Sequence, residues 1–300
     1  MQKIDLTGQV AIVTGSGRGL GLAFARELAR AGAAVVVNDV DAEAAEAAVS
    51  RIVSDGGKAV CEVVPVGTTE AADRLVSRAV QTWGRLDLLC ANAGILRDKV
   101  LWNMSDEDFD AVIQTHLRGT FTCARAAVRQ MRVQGTGGRL VLIASPAGQR
   151  GNFGQGNYSA AKAGIAAMAR TWAMECAKSG ITVNAIVPVA WTQMVASIPA
   201  FAPYAQTLAQ GEPLPADVRQ RMGMGMPEDV APLLTFLASA HAAHITGQCI
   251  GIGGDKIALW SHPQELHAAY REGGWTAESI AGVWSSSVGA APQSVGMPAL

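Results

Sequence analysis

Short apolar runs rich in β-branched residues alternate along this chain with longer, helix-like amphipathic segments. Four of the apolar runs begin at Gln9, Ala34, Lys58 and Leu86. Strands that alternate with helices form parallel sheets, because right-handed crossovers return the chain to the same end of the sheet. The alternation therefore predicts the α/β class, with a doubly wound parallel sheet between two layers of helices. Ligands bind such sheets at the carboxyl ends of the strands.

A glycine-rich loop connects the first predicted strand, Gln9–Thr14, to a predicted helix that ends near Gly32. Glycines would let the backbone approach a pyrophosphate, and the free N–H groups of a helix N-terminus attract anions. The loop reads TGSGRGLG, which differs from the usual GxGxxG fingerprint, so a plain glycine-rich loop is the alternative. The candidate cofactor-binding residues in the loop are Gly15, Gly17, Arg18, Gly19, Leu20 and Gly21.

Asp39 lies at the end of the second predicted strand, eighteen residues after Gly21. In dinucleotide folds, an acidic residue about 20 residues after the glycines bonds the adenosine ribose. Its carboxylate would repel a 2′-phosphate, which favours NAD over NADP. Arg18 could instead pair with a 2′-phosphate, but like charges in contact cost several kcal/mol, and an arginine can swing away. NAD is therefore the predicted cofactor, with NADP less favoured.

Two further strands are predicted to end at the same edge of the sheet. The strand Leu86–Cys90 leads into small residues, where a bulky side chain would obstruct a cofactor. Asn92 in this segment could also be only a turn residue. The strand Arg139–Ala144 leads directly into Ser145. The candidate cofactor-binding residues of the small-residue segment are Asn92, Ala93 and Gly94.

Tyr158 and Lys162 lie four residues apart in a predicted helix, a spacing that places both on one face. A nearby ammonium lowers the pKa of a phenol from about 10, towards the range in which a general acid or base works at neutral pH. Such a pair is also common on ordinary helix faces. Ser145, thirteen residues before Tyr158 and at a strand end, would lie beside the start of this helix. The three residues together predict a proton-transfer site.

The segment 191–226 is rich in Pro, Ala, Gly and Met and shows little regular pattern. Loops of this length are usually functional or disordered. At the carboxyl end of the predicted strand Ile181–Val187, the segment could form a lid over a substrate. Trp191 and Met194 are the candidate residues of the substrate pocket.

The predicted strand Cys249–Ile252 completes the expected sheet. The motifs do not repeat, so the sequence predicts one domain at residues 1–254. Residues 255–300 are predicted to be a C-terminal extension that holds one short helix capped by Thr276 and then a mobile end.

Charge and composition exclude several classes of function. The chain has 300 residues and a net charge of −1, so it lacks the basic excess that nucleic-acid binding requires. No apolar run reaches the roughly 18 residues that span a membrane, and the N-terminus lacks the core of a signal peptide. Five cysteines without CxxC spacing indicate free thiols. We expect a soluble, cytoplasmic protein with a small-molecule substrate, no metal, and no nucleic-acid or membrane partner.

The motifs TGSGRGLG and ANAG, together with Asp39, Ser145, Tyr158 and Lys162, occur in an order that resembles the short-chain dehydrogenase/reductase family. The resemblance extends over roughly residues 5 to 254. It implies a Rossmann-type sheet, NAD(H) or NADP(H), and a homo-oligomer, a dimer or a tetramer. It also implies that Tyr158, Lys162, Pro188 and Thr192 contact the cofactor.

Three stretches, at residues 35–40, 95–121 and 151–165, are similar to one branch of the family. That branch includes the 3-hydroxyacyl-CoA dehydrogenase unit of peroxisomal multifunctional enzyme type 2. The resemblance implies hydride transfer between the nicotinamide and a secondary alcohol carbon. In that mechanism Tyr158 donates or accepts the proton and Ser145 bonds the substrate oxygen.

Three residues depart from the usual family pattern. His116 stands where many members have an asparagine that holds a water in a proton relay, and the similar branch often has histidine there. Val66 stands where many members have an aspartate that contacts the adenine. Trp191 stands where relatives often have a smaller or a basic residue, so it could narrow the substrate pocket.

These observations lead to two hypotheses of different classes. The first is an NAD-dependent dehydrogenase or ketone reductase, with a 3-hydroxyacyl-CoA type substrate favoured over a free steroid, terpene or alicyclic alcohol. The second is a non-catalytic subunit that binds NAD. The intact set of Ser145, Tyr158 and Lys162 favours the first, because an inactive member would be expected to have lost one of them.

Overall fold

The computed structural model describes residues 3–192, 196, 202–210 and 212–296. Its strands are β1 (Val10–Val13), β2 (Ala34–Asp39), β3 (Lys58–Val63), β4 (Leu88–Ala91), β5 (Gly138–Ile143), β6 (Ile181–Pro188), β7 (Cys249–Gly253) and β8 (Lys256–Trp260). Within the described residues they form one sheet in the order β3-β2-β1-β4-β5-β6-β7-β8. All neighbours are parallel except β7 and β8.

Helices cover both faces of the sheet. They are α1 (Gly19–Arg30), α2 (Ala42–Ser54), α3 (Thr69–Trp83), α4 (Asp106–Val112), α5 (Gly119–Gln134), α6 (Pro146–Arg150), α7 (Gly156–Cys176), α8 (Ala202–Ala209), α9 (Pro227–Ala238) and α10 (Ala277–Trp284). Successive strand residues point to opposite faces. Val10 and Ile12 of β1 therefore join the core with α3, α5 and α7, whereas Ala11 and Val13 join the core with α1, α2 and α9. The predicted doubly wound, Rossmann-type sheet is confirmed.

The expectation that Cys249–Ile252 completes the sheet is wrong. The strand β8, which lies inside the predicted extension, adds an antiparallel edge strand. Gly254, with a φ of 52°, and Asp255 form the two-residue connection, and Gly253 pairs with Lys256 across it. Two-residue hairpins favour Gly and Asp at these positions, so the sequence GGDK is typical of a hairpin turn between two strands. The predicted helix capped by Thr276 is confirmed as α10, where Thr276 Oγ1 accepts from the Ser279 N–H at 3.2 Å.

None of the helices in the described ranges has the length and apolar character to cross a membrane. The same ranges hold no cluster of His, Cys, Asp or Glu side chains that could bind a metal ion. All five cysteines are free thiols, and all but Cys61 are buried.

Candidate active site

The loop between β1 and α1 packs so closely that two of its glycines leave no room for a side chain. A Cβ on Gly15, whose φ is 61°, would lie 2.7 Å from Ala93 Cα. A Cβ on Gly21 would lie 2.1 Å from the carbonyl O of Gly15. Gly19 differs, because nothing lies within 4 Å of an added Cβ and the residue lines an open cavity. The loop is therefore a tight turn with one side open to a ligand.

The first turn of α1 has the features of an anion site. Arg18 at the N-cap makes no side-chain capping bond, and the turn holds no acidic residue. In contrast, α2 and α3 begin with the capping side chains of Asp41 and Thr68. Uncapped N–H groups at a helix N-terminus, beside glycines, are the usual phosphate-binding arrangement. The loop and α1 thus fit the pyrophosphate of a dinucleotide.

Asp39 closes one end of the cavity against this loop. Its Oδ2 accepts from the Gly17 N–H at 3.0 Å, and its Oδ1 accepts from the N–H groups of Val40 at 2.9 Å and Asp41 at 3.2 Å. Arg18 forms an ion pair with Asp41 and not with Asp39. Asp39 therefore places a carboxylate in the cavity wall, and Arg18, which lines the cavity too, is already paired with Asp41.

Asn92 joins the glycine loop to the end of β4. Its Nδ2 donates to the carbonyl O atoms of Thr14 at 2.9 Å and Gly15 at 3.0 Å. In return, Thr14 Oγ1 accepts from the N–H groups of Asn92 and Ala93, both at 3.0 Å. Asn92 is thus more than a turn residue, since it fixes the loop. The sequence reasoning missed Thr14, although a threonine directly before a glycine-rich loop was a visible signal.

Ser145, Tyr158 and Lys162 converge at the carboxyl edge of the sheet. Ser145 is 8% exposed, and its Oγ caps α6 by accepting from the Ala147 N–H at 3.2 Å. Its side chain also hydrogen-bonds with Tyr158. Lys162 is 3% exposed, and its Nζ donates to the Ile143 carbonyl O at 2.6 Å. The Nζ lies 5.5 Å from the centroid of the Tyr158 ring, so the expected shared helix face on α7 is confirmed.

Burial dominates the acid–base properties of this group. It raises the pKa of the Tyr158 phenol, the hydrogen bond with Ser145 lowers that pKa, and the Asp98 carboxylate raises it. Burial also lowers the pKa of Lys162 to about 7. The expectation that Lys162 lowers the pKa of Tyr158 is therefore wrong in this structure. A lysine that is itself desolvated is only partly charged at neutral pH, and its Nζ bonds to a backbone carbonyl.

His116 lies beside Tyr158 in a π-helical turn, Ile113–Arg118. The two rings pack edge to face, with centroids 5.2 Å apart and an interplanar angle of 87°. His116 Nε2 lies 2.9 Å from the backbone N and 2.7 Å from the backbone O of Ile95. Its Nδ1 is buried and has no hydrogen-bond partner in the part of the chain that the structure describes. Burial lowers the pKa of His116 to about 3, so the ring is neutral at neutral pH.

The ring of His116 leaves no room for a side chain at Gly94. A Cβ on Gly94 would lie 2.2 Å from His116 Cε1. The small residue after β4 therefore makes room for the ring of His116 as well as for a ligand.

A single cavity of about 1680 Å³ joins these groups. Every predicted catalytic and cofactor-binding residue lines it, including Leu20, Pro188 and Thr192. Val66 also lines the cavity, which gives its wall an apolar side chain at that point. A cavity of this size exceeds the roughly 300–1,000 Å³ of an ordinary small-ligand site. It therefore has room for a dinucleotide and a second molecule.

The predicted lid at 191–226 contains more regular structure than the sequence indicates, because α8 and a π-helical turn, Val218–Met222, lie within it. Trp191 does not line the cavity but packs against a small apolar cluster that includes Leu214 and Met224. Met194 lies outside the described residues. The lid residues that the structure describes and that line the cavity are Thr192, Tyr204, Asp217, Val218, Arg221, Met222, Gly223 and Met224.

Comparisons with known proteins agree with this geometry. Residues 9–202 match the family model described as short chain dehydrogenase. The chain is 40% identical over 255 residues to a 3-oxoacyl-[acyl-carrier-protein] reductase of Synechocystis, covering 84% of this chain and 98% of that protein. It is 41% identical over 271 residues to a hydroxyacyl-CoA dehydrogenase of Mycobacterium tuberculosis, covering 86% and 81%.

The chain also resembles part of a longer protein and a solved structure. It is 40% identical over 239 residues to peroxisomal multifunctional enzyme type 2 of Mus musculus, covering 77% of this chain and 30% of that protein. A crystal structure of a short chain dehydrogenase from Mycobacterium avium superposes with a TM-score of 0.83 at 36% identity, covering 99% of each chain.

Proposed function

We propose that this chain, which belongs to the short-chain dehydrogenase family, is an NAD(H)-dependent enzyme that interconverts a secondary alcohol and a ketone. The family consists of oxidoreductases that bind NAD or NADP. The resemblance predicted from the motifs is confirmed at the level of the family and its acyl-CoA branch. The observation that supports the proposed reaction is the convergence of Ser145, Tyr158 and Lys162 beside the uncapped glycine loop.

The proposed roles follow from the contacts of each side chain. A nicotinamide held in this cavity would supply the chemistry of hydride transfer to or from the carbon that bears the substrate oxygen. The Ser145 and Tyr158 hydroxyls, which already bond each other, would hold the substrate oxygen between them. Tyr158 would supply or remove the proton on that oxygen. Lys162, whose Nζ has donors to spare beyond Ile143, would bond the nicotinamide ribose.

His116 is proposed as the relay residue that the family pattern suggests. Its ring packs edge to face against the Tyr158 ring and its Nδ1 has no partner among the described residues, and a neutral imidazole nitrogen can accept or donate a hydrogen bond. It would orient a proton carrier rather than titrate, because burial holds its pKa at about 3.

We propose a 3-hydroxyacyl thioester of the coenzyme A type as the substrate. Two of the relatives act on acyl thioesters by name, a 3-oxoacyl-[acyl-carrier-protein] and a hydroxyacyl-CoA. The charges along the cavity support an anionic substrate, because Arg150, Arg221 and Lys256 line it and form no ion pair with any described residue. A free steroid, terpene or alicyclic alcohol is the alternative, favoured by the apolar lid residues Tyr204 and Met222.

The test is a panel of 3-hydroxyacyl-CoA thioesters, hydroxysteroids and alicyclic alcohols, each assayed with NAD⁺ and with NADP⁺. We expect turnover of the thioesters with NAD⁺, measured as absorbance of the reduced nicotinamide. Turnover of the steroids alone would instead identify the alternative substrate class. Binding of NADH with no turnover of any compound would favour a non-catalytic, NAD-binding subunit.

Asp39→Asn is expected to shift the cofactor preference towards NADP. The substitution removes the carboxylate charge that would repel a 2′-phosphate, and it keeps an oxygen that can accept from the Gly17 N–H. We expect the ratio of kcat/KM for NAD⁺ to that for NADP⁺ to fall roughly 10-fold or more. Glu46→Gln is the matched control, because it removes an exposed carboxylate from nearby α2. A clear preference of the wild-type protein for NADP⁺ would refute this interpretation of Asp39.

Three further predictions from the sequence are kept as proposals. The first is a homo-oligomer, supported by three large apolar side chains, Leu101, Trp102 and Phe153, that are 87%, 78% and 85% exposed. Light scattering would distinguish a dimer or tetramer from a monomer.

The second is the boundary at residue 254 between the domain and its C-terminal extension. The strand β8 belongs to the extension but pairs with β7 of the domain, so the two parts share one sheet. The third is a cytoplasmic location.

A further inference from the structure

The C-terminal segment 294–296 bonds to Arg150, a residue of the cavity wall. Arg150 is the last residue of α6, five positions after Ser145, and it lines the cavity. Its Nε donates to the Gly296 carbonyl O at 2.9 Å, and its Nη2 donates to Ser294 Oγ at 2.9 Å. Its own carbonyl O accepts from the Gly296 N–H at 2.8 Å. Three hydrogen bonds thus tie the end of the chain to one residue of the cavity wall.

The partners that bond the Arg150 guanidinium are neutral. A carbonyl O and a hydroxyl occupy its Nε and Nη2, which form one edge of the planar guanidinium. Such an edge can hold a carboxylate or a phosphate through two parallel hydrogen bonds. Bonds to a charged acceptor are roughly twice as strong as bonds to a neutral one. An anion that reached this edge would therefore displace the C-terminal segment.

The surroundings of Arg150 favour an anionic ligand over a neutral one. Arg221 and Lys256 line the same cavity, and Lys256 lies next to Gly223, since a Cβ on that glycine would lie 3.4 Å from the lysine Cβ. Asp217 is a carboxylate in the wall near Arg221. The cavity wall as a whole holds more cationic side chains, Arg150, Arg221 and Lys256 among them, than carboxylates, which are those of Asp39 and Asp217. Its field attracts negative charge.

We propose that Arg150 determines substrate specificity by binding a phosphate of coenzyme A, and that residues 294–296 occupy its donor edge until the thioester binds. This inference rests on the proposed thioester substrate. The C-terminal segment then acts as an intramolecular competitor, because thioester binding must break the bonds that the Arg150 guanidinium donates to Ser294 Oγ and the Gly296 carbonyl O. A thioester without phosphates leaves those bonds in place and gains nothing from Arg150.

The experiment compares two thioesters of the same 3-oxoacyl chain, one on coenzyme A and one on N-acetylcysteamine, which has no phosphate. Arg150→Gln is expected to raise KM for the coenzyme A thioester roughly 10-fold or more, and to leave KM for the N-acetylcysteamine thioester within about twofold. Arg129→Gln is the matched control, because Arg129 is exposed on α5 and does not line the cavity. Thermal melting of each variant checks that it is folded.

A chain that ends at residue 293 tests the competition. We expect this truncation to lower KM for the coenzyme A thioester several-fold in the wild-type background and to have no effect in Arg150→Gln, since only the two bonds of the guanidinium compete with a phosphate. A truncation effect of equal size in both backgrounds would contradict the proposed competition. An equal rise in KM for both thioesters in Arg150→Gln would contradict the phosphate contact.

Calorimetric titration of free coenzyme A into each variant separates this inference from the proposed function. We expect Arg150→Gln to weaken coenzyme A binding by the same factor as it raises KM. If steroids are turned over and thioesters are not, the proposed substrate is wrong, and the titration alone decides the role of Arg150. Equal coenzyme A affinity in the wild type and in Arg150→Gln would then overturn the inference.

Discussion

Tyr158→Phe is expected to lower kcat by roughly 10²- to 10⁴-fold, the range that general acid–base catalysis contributes. The substitution removes one hydroxyl and keeps the ring that packs edge to face against His116. Cofactor affinity should therefore change little, which fluorescence titration with NADH measures. Tyr270→Phe is the control, since Tyr270 is 91% exposed in the C-terminal extension. Activity of Tyr158→Phe close to that of the wild type would refute the proposed mechanism.

The raised pKa of Tyr158 predicts opposite pH profiles for the two directions of the reaction. Reduction of a ketone needs the neutral phenol as acid, and burial keeps the phenol protonated at neutral pH. The rate of reduction should therefore be flat around neutral pH and fall in alkali. Oxidation of an alcohol needs the phenolate as base, so its rate should increase with pH. Both trends should disappear in the residual activity of Tyr158→Phe.

Lys162→Met is the second substitution with a large expected effect, because it removes a buried amine that lies near the Tyr158 ring and bonds to the backbone of β5. We expect kcat to fall roughly 10²-fold or more. The free energy of unfolding of the cofactor-free protein should also change, in a way that depends on pH.

The sign of that dependence follows from the pKa of Lys162, which is about 7 in the folded chain and 10.5 as the ordinary value. Between these two values the unfolded chain binds a proton that the folded chain does not, so wild-type stability rises with pH by up to about 1.4 kcal/mol per pH unit. Below pH 7 both states are protonated, and the wild type bears the full cost of burying an ammonium.

Lys162→Met has no such cost, so its advantage in stability over the wild type should be largest at or below pH 7 and should shrink towards pH 10. Urea denaturation at pH 6.5 and pH 9.5 measures the difference between the two proteins. Lys178→Met, which replaces an exposed lysine, should show the same small effect at both values. A stability difference that does not change with pH would show that Lys162 is fully charged in the folded protein.

The positions of the site residues could be predicted from sequence because they follow from topology. In a parallel sheet, the residues after β1, β4 and β5 must meet at one edge, so the sequence predicts that Gly15, Asn92 and Ser145 lie together. The helical spacing of four likewise placed Tyr158 and Lys162 on one face of α7.

The electrostatics could not be predicted in the same way, because burial depends on the whole fold. A phenol beside an ammonium suggests a lowered pKa, yet the 3% exposure of Lys162 weakens that cation. Contacts between distant parts of the chain could not be predicted from the sequence either. Arg150 and Ser294 are separated by 144 positions, and no local pattern connects them.

The π-helical turn at Ile113–Arg118 joins α4 and α5 into one continuous helix and sets how far the packed face of α4 is rotated from that of α5. The α4 end is tied to α7 through Asn157 Nδ2, which donates to the Asp108 carbonyl O at 3.2 Å, and the α5 end packs against the sheet through residues such as Ala127. A π turn holds one residue more than an α turn, and one residue equals about 100° of rotation. The wider turn therefore absorbs one residue without rotating α4 against α5. Loss of a residue from within α4 or α5 would instead turn a packed face to solvent, and substitutions alone cannot compensate for such a change in length.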